Sequence, residues 1–254
     1  MEKTAYIDNN IIVDLEDGVI NKQNLLNTVD QNISEFFYSA AHLEEAYEIK
    51  SNSSEEKKRS LLRRFKTITD LTDNNYVLHE LPSNRIIRYK ETPSEVYRTI
   101  TFVGFAQTMM KAMTNFVSET QKEEFRKSIR FDPIRINNYN SKEIVSHINQ
   151  KMDVWGGMSL LGMLDYCISL FPEGYGGLHN RIAALFEFLD SVGYWKDKAT
   201  EKSNYARLWD SNHAYYATFF DYFISDDKRT RNKAKVVYDI YEIKTIPISS
   251  IGKT

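Results

Sequence analysis

The carboxylates of this chain fall where chemistry could use them. Thr4-Ala5-Tyr6-Ile7 reads as a short strand that runs out on Asp8-Asn9-Asn10. Near the other end, Phe223-Ile224-Ser225 reads as an apolar strand that runs out on Asp226 and Asp227, and the helix before it carries Asp210 and His213 one turn apart. In open α/β sheets the crevice beyond the carboxyl ends of the strands is where ligands and metals sit, so acids at these exits suit a cleft better than a core. Several carboxylates gathered there repel one another and cannot all ionise without compensation. A divalent cation supplies it, and oxygen ligands favour a hard ion, Mg²⁺ or Mn²⁺. One cysteine and five scattered histidines argue against a structural zinc site. Metals held by acids activate water and stabilise charge on a phosphoryl group, so cleavage of a phosphodiester bond is the natural reaction class.

Elements at both ends of the chain must position these acids. After the first strand, Ile11, Ile12 and Leu15 mark a helix, and Phe36-Phe37-Tyr38 forms a second strand-like run. That run ends on Ser39, an N-cap for the helix A-A-H-L-E-E-A that holds Glu44 and Glu45. Ser51 to Ser54 is a polar break. Glu55 to Leu71 then reads as a basic helix, with Leu61, Leu62, Phe65 and Ile68 on one side and Arg59, Arg63 and Lys66 together on another. The basic side reads as a solvated face, with a phosphate-gripping surface as the alternative.

Tyr76 to Tyr89 holds strand-like pieces broken by Pro82, and Thr92-Pro93-Ser94-Glu95 is a capping box with proline at the first helical position. It predicts a long helix carrying Val96, Ile100, Val103, Met110, Met113 and Val117. Further helices are expected over Ser141 to Met152 and around Ile182, Leu185, Phe186 and Leu189, the last stopped by Gly193, and Trp155-Gly156-Gly157 leads into an apolar stretch through Phe171. The cluster Gly174, Gly176 and Gly177 lacks the phosphate-loop pattern and reads as a turn. Lys196 to Asn204 reads as a loop, Arg231 to Tyr241 as a helix and Thr245 to Ser249 as a last strand. Strands thus lie at the ends and helices in the middle. The simplest assembly is one α/β domain from residues 1–50 and 205–254, with a mostly helical insertion over 51–204.

With 254 residues the chain can bury a substantial core. The lone Cys167 cannot form an internal disulfide, and no charged-then-apolar leader opens the sequence, so a cytoplasmic setting is expected. No apolar run reaches the roughly 18 residues of a membrane helix. A formal charge of −2 gives no global pull toward nucleic acid, so a polyanion would be held by local basic patches or bound metal.

Asp8-x-Asn10 after an N-terminal strand, an acid in the helix after Ser39, and Phe-Ile-Ser-Asp-Asp after a late helix together resemble the PIN-domain family of metal-dependent nucleases. The resemblance covers about 100 residues at the two ends. It implies a three-layer α/β/α fold with a central, mostly parallel sheet, and three to four acids binding Mg²⁺ or Mn²⁺. The implied activity is an endoribonuclease, with RNA favoured over DNA as substrate, and a toxin or defence-type effector is among the roles that go with it. By the same resemblance Asp8 is the first metal ligand and Asn10 positions it. Glu45 corresponds to the second acid better than Glu44, Asp210 to the third, and Asp226 or Asp227 to the fourth. The sequence departs from the pattern at His213, where family members carry an acid before A-x-x-A, and in the length of the gap between Glu45 and Asp210. Lys228, Arg229 and Arg231, next to the acid pair, are the candidates for substrate phosphates. A regulatory protein partner and a homo-oligomer are both compatible with this scheme.

Plainer roles stand beside each of these. Asp8 is also placed to N-cap the first helix. Glu44 and Glu45 suit a first helical turn as ordinary surface acids. His213 suits a hydrogen-bonded structural histidine, and Asp221 suits the turn into the late strand. A catalytically silent interaction module, working through the helical middle, is the alternative from another class. A phosphatase with Asp8 as covalent nucleophile ranks third, because Asn10 stands where such enzymes usually carry a second acid.

Overall fold

The computed structural model describes residues 2–80, 83, 85–100, 118–132, 135–150, 156–169, 177–198 and 201–251, with 167–169 and 201–204 described in backbone alone. The chain divides into two compact units. One comprises Met1–Gln107, Tyr216–Lys228 and Lys244–Thr254, and the other Thr108–Tyr215 and Arg229–Ile243.

The first unit is an α/β fold on a six-stranded, mostly parallel sheet. Its strands are β1 (Lys3–Ile7), β2 (Ile33–Ser39), β3 (Asn75–Glu80), β4 (Arg85–Lys90), β5 (Tyr222–Ile224) and β6 (Ile246–Ile248), in the spatial order β4-β3-β2-β1-β5-β6. All pairs are parallel except β3 with β4, an antiparallel hairpin closing one edge. The broken segment around Pro82 is therefore a hairpin on the sheet, inside the span expected to be helical. Pro82 itself lies outside the described residues.

Side-chain alternation sets the two faces. Ala5 and Ile7 of β1, Phe36 and Tyr38 of β2, and Tyr222 and Ile224 of β5 point into one apolar core. Covering this face are Ile11 and Ile12 of helix α1 (Asn9–Glu16), Leu25 of α2 (Lys22–Thr28), and Ile68 and Leu71 of α4 (Ser54–Thr72). The intervening residues Tyr6, Phe37 and Phe223 face the other way, where Phe220 lies 4.6 Å from Phe37 and 5.9 Å from Tyr6, ring centre to ring centre. Tyr6 also stacks on Tyr216 at 6.2 Å. With both faces covered, Ala5, Tyr6 and Ile7 are all buried, as a central parallel strand requires. The edge strand β6 carries Pro247, and β4 exposes Arg85, Arg88 and Lys90.

Helix α3 (Ala40–Tyr47) begins at Ser39 as expected, with a capping box closed by His42. The helix predicted from Thr92 is present as α5 (Pro93–Thr99), its N-cap accepting from the Glu95 N–H. Its continuation through Val103, Met110, Met113 and Val117 lies outside the described residues. One expectation for α4 fails. Leu62 is exposed and Arg64 buried, because Glu16 and Asn9 on α1 give the guanidinium its partners.

The second unit is built from α6 (Glu119–Ile129), α7 (Ser141–Asn149), α8 (Leu160–Ser169), α9 (Gly177–Val192) and most of α10 (Glu201–Ala217) and α11 (Lys228–Ile240). Among the described residues the whole chain thus has eleven α-helices. The loop expected over Lys196 to Asn204 is helical from Glu201 on, and residues 199 and 200 lie outside the described residues. Gly193 follows α9 at φ +95°, the left-handed cap expected there. Met152, Phe171, Gly174 and Gly176 lie outside the described residues, while Gly177 opens α9 instead of sitting in a turn.

An ion network occupies the interior of this unit. Lys122, Arg207 and Lys233 are each about 2% exposed or less, and surround Asp190 at 3.5, 2.9 and 3.4 Å. Glu187 pairs with Lys122 at 2.5 Å and Arg207 at 2.7 Å, and Asp197 pairs with Arg207 at 3.1 Å and Lys233 at 2.9 Å. Three cations thus meet three acids. Among the described residues no helix is long and apolar enough to cross a membrane.

Candidate active site at the carboxyl ends of β1 and β5

From β1 the chain moves outward to β2 and β3, then returns to place β5 on the opposite side of β1, with β6 beyond. The direction of winding therefore reverses between β1 and β5. In a parallel sheet that reversal opens a crevice at the carboxyl ends of the two strands. Asp8 follows β1 there, and Ser225-Asp226-Asp227 follow β5. The two segments are joined by a hydrogen bond from the Asp8 N–H to the Ile224 carbonyl, 2.8 Å.

Asp8 stands at the N-cap of α1, but its carboxylate makes no cap bond. Its Oδ2 accepts instead from Ser225 Oγ at 2.6 Å and from Asn10 Nδ2 at 2.8 Å. The side chain is turned from the helix toward the strand end, and Asp8 is only 3% exposed. Asn10 works as a clamp. It also donates to Ser225 Oγ at 3.0 Å and accepts from the Asp226 N–H at 3.1 Å. Ser225, wholly buried, further accepts from the Asp227 N–H at 3.2 Å, so its single hydroxyl donates once and accepts twice. The sequence reads Ser225 only as part of the strand, without a role at the site. Its signal was its place as the last residue of Phe-Ile-Ser before the acid pair, on the opposite sheet face from Ile224.

The acid pair divides. Asp226 Oδ1 accepts from Ser249 Oγ at 2.6 Å and the Ser250 N–H at 2.8 Å, and Oδ2 accepts from Ser250 Oγ. Both its oxygens are engaged in holding the loop after β6. Asp227 is half-buried next to Ser225.

Glu45 and Glu44 point to different surroundings. Glu45 Oε2 accepts from Asn9 Nδ2 at 2.7 Å, and Asn9 Oδ1 accepts from Arg64, whose guanidinium forks onto Glu16. Glu45 is thus one asparagine side chain away from the Asp8 segment. Glu44 instead adds its charge to the surroundings of Tyr76, whose phenol is held above its usual range first by burial and then by Tyr89, Glu44 and Glu91. The phenol of Tyr6, behind the site, is pushed well up by burial. Its hydrogen bond with Ser39 opposes that shift, while charge on Tyr216, Asp8 and Glu45 adds to it. Tyr6 therefore stays protonated, and Ser39, beyond capping α3, ties β2 to β1.

His42 fixes the end of β1. Its Nδ1 accepts from the Ser39 N–H, which leaves Nε2 to donate to the Ile7 carbonyl at 2.9 Å. Asp14, on α1, has its carboxyl pushed up by burial, then by the charges of Asp226 and Asp17.

The remaining sequence candidates fall on α10 and α11. Asp210, half-buried, and His213, 1% exposed, lie on the part of α10 that belongs to the helical unit. The basic run does not form one face. Lys228 is exposed and Arg229 half-buried, whereas Arg231 is 8% exposed and Lys233 belongs to the buried ion network. Asp221 fills the turn role expected of it, its Oδ2 accepting from the Thr4 N–H at 2.8 Å and from Thr4 Oγ1 at 3.1 Å.

Among the described residues no three His, Cys, Asp or Glu side chains gather closely enough to hold a metal ion by themselves. The groups around Asp8 are nevertheless all oxygen donors or amides, the chemistry that suits a hard cation. Mg²⁺ in particular keeps several waters and takes only one or two protein carboxylates, with substrate phosphate completing its shell. Comparison of the chain with family models, with curated proteins and with solved structures returns no match, so its placement rests on the sheet and the site themselves.

Proposed function

We propose that the sheet unit is the core of a PIN-like, metal-dependent nuclease, most readily an endoribonuclease, acting at the crevice between β1 and β5. The observation that carries this reading is the convergence of Asp8 and the Ser225-Asp226-Asp227 segment at the point where the winding of the sheet reverses. Asp8 is the principal ligand, with Asp227 or Glu45 as the second. Asp226 is assigned to the loop after β6. Mg²⁺ or Mn²⁺ bound there supplies an activated water and neutralises charge on the phosphoryl group.

The chain's own residues prepare that site. Ser225 and Asn10 fix one oxygen of Asp8 and so orient the other, as hydrogen-bonded outer groups do for metal ligands. His42 and Ser39 hold the end of β1 against α3. Lys228, exposed one residue after Asp227, is placed to meet a backbone phosphate. The sequence resemblance also assigns a part to Asp210, which an Asp210→Asn variant tests separately, and a toxin or defence role rests on that resemblance alone.

The test is cleavage of mixed RNA and single-stranded DNA by the purified chain with Mg²⁺ or Mn²⁺, beside EDTA and Asp8→Asn. Cutting that requires metal and vanishes in both controls supports the proposal. A wild-type chain that is inert and whose melting temperature does not rise with either metal overturns it. A second reading, an interaction module without chemistry, draws on the observation that three acids are not gathered among the described residues.

A further inference from the structure

We propose a second binding site, at the opposite end of the sheet, that takes a phosphate-bearing ligand of mononucleotide size. A cleft of about 430 Å³ lies where β1, β5 and β6 begin, lined in part by Thr4, Arg88, Asp221, Lys244 and Thr245. It is within the range of small-molecule sites. Thr4 is four residues before Asp8, so along β1 the cleft is roughly 13 Å from the crevice at the other end.

The donors in this cleft decide what it can hold. The hydroxyl of Thr4 is given to Asp221, and that of Thr245 to the carbonyls of Phe220 and Ala217, at 2.8 and 3.1 Å. These threonines shape the wall. The donors for a ligand are two cations. Arg88 lies with its guanidinium 4.5 Å from the centre of the Phe220 ring and 5.6 Å from that of Phe37, and one Nη donates to the Phe219 carbonyl. Two rings and a carbonyl hold its plane, while most of its five N–H groups are left for a ligand, and a guanidinium fixed in advance loses little freedom on binding a phosphate. Lys244 is exposed and has no acid and no hydrogen-bond partner among the described residues.

One acid faces the two cations. Asp221 is held ionised by the Thr4 N–H, which keeps its carboxyl below the usual range. The lining thus carries two positive charges and one negative. A bare dianion would be repelled by Asp221, whereas a ligand with a phosphate at one end and hydroxyl donors at the other satisfies both signs. A nucleoside monophosphate has that pattern and that size.

The experiment is calorimetric titration of the full chain, in EDTA to silence metal-assisted binding, with adenosine 5′-monophosphate, inorganic phosphate and adenosine. The mononucleotide is expected to bind at least tenfold more tightly than adenosine and more tightly than phosphate. Lys244→Gln, at an exposed position, should weaken mononucleotide binding about tenfold with an unchanged melting temperature, the effect of losing one charge-assisted contact. Arg88→Gln should weaken it further, and Asp8→Asn should leave it unchanged. Absence of binding by all three probes, equal affinity for adenosine and its monophosphate, or indifference to Lys244→Gln would each overturn the proposal. Loss of binding in Asp8→Asn would do so too, by moving the ligand to the other end of the sheet.

Discussion

Two groups of buried acids in this molecule are held in opposite ways. In the helical unit, Asp190 is ringed by Lys122, Arg207 and Lys233, and among the described residues these three cations also meet Glu187 and Asp197. At the end of β1, Asp8 Oδ2 rests on a hydroxyl and a carboxamide, Ser225 and Asn10. Cations satisfy a carboxylate's charge as well as its lone pairs. Neutral donors such as these occupy lone pairs and fix the orientation of the carboxylate. The first arrangement ties helices together; under the proposed function the second would orient a ligand for a cation, and the contrast can be tested from both sides.

The largest expected effect is on the balanced network. Asp190→Ala leaves three buried cations with two acids and should lower stability by about 3–5 kcal/mol, the usual result of removing one partner from a buried ion group. Urea unfolding read separately from the two units would measure it, and a loss within error would show that the network contributes nothing. The same network sets a pH dependence. Burial alone pushes the Asp190 carboxyl up, but Lys233, Arg207, the Asp197 N–H and Lys122 outweigh it, and the net shift is downward. Its stabilisation is therefore complete above the unfolded carboxyl range, near 3.9, and is lost as pH falls through the lower folded value. Asp190→Asn should flatten the acid limb of the stability profile.

Next in size is Asp8→Asn, which keeps the shape of the side chain and removes the charge. If the proposed activity holds, cleavage should fall by roughly 10²–10³-fold, as when one electrostatic group of a reaction site is removed. Melting temperature should move little. A destabilised but equally active variant would put Asp8 in the structural class with Asp190. Ser225→Ala sharpens the distinction. It frees the Asp8 oxygen without touching its charge, and should lower metal affinity or rate by about 10–100-fold, as loss of an orienting partner does. A metal titration of both variants separates orientation from charge. At the bottom of the scale, Lys66→Ala breaks an exposed i,i+4 pair with Asp70 and should change stability by at most about 0.5 kcal/mol. A larger change would mean that the basic side of α4 is more than a solvated face.

Much of the sheet was legible because its evidence is local. The alternation in Thr4 to Ile7, the run Phe36 to Tyr38, and Phe223-Ile224-Ser225 each announce a strand, the last lying one residue late against the observed Tyr222–Ile224, and Asp8, Ser39 and Ser225 stand at the strand exits. Ser39 as N-cap was readable for the same reason. What escaped was set by partners far along the chain. Arg64 is buried because Glu16 lies beside it, 48 residues away in sequence. Lys233, one of the cations that follow the acid pair in the sequence, reaches Asp190 and Asp197 across 43 and 36 residues. The same distance hid the difference between Asp226 and Asp227, since Ser249 and Ser250 come 23 and 24 residues later. The choice of Glu45 over Glu44 rests on resemblance; in the structure Glu45 accepts from Asn9, which follows Asp8.

Pro247 in β6 bears on how the protein behaves among many copies of itself. A short edge strand with a proline lacks one of the amide hydrogens that an incoming strand would need, and the opposite edge of the sheet, β4, presents Arg85, Arg88 and Lys90. Both margins of a central sheet made of aromatic and branched residues are thereby unattractive templates for another chain. Replacing Pro247 with valine would restore that amide hydrogen on one edge.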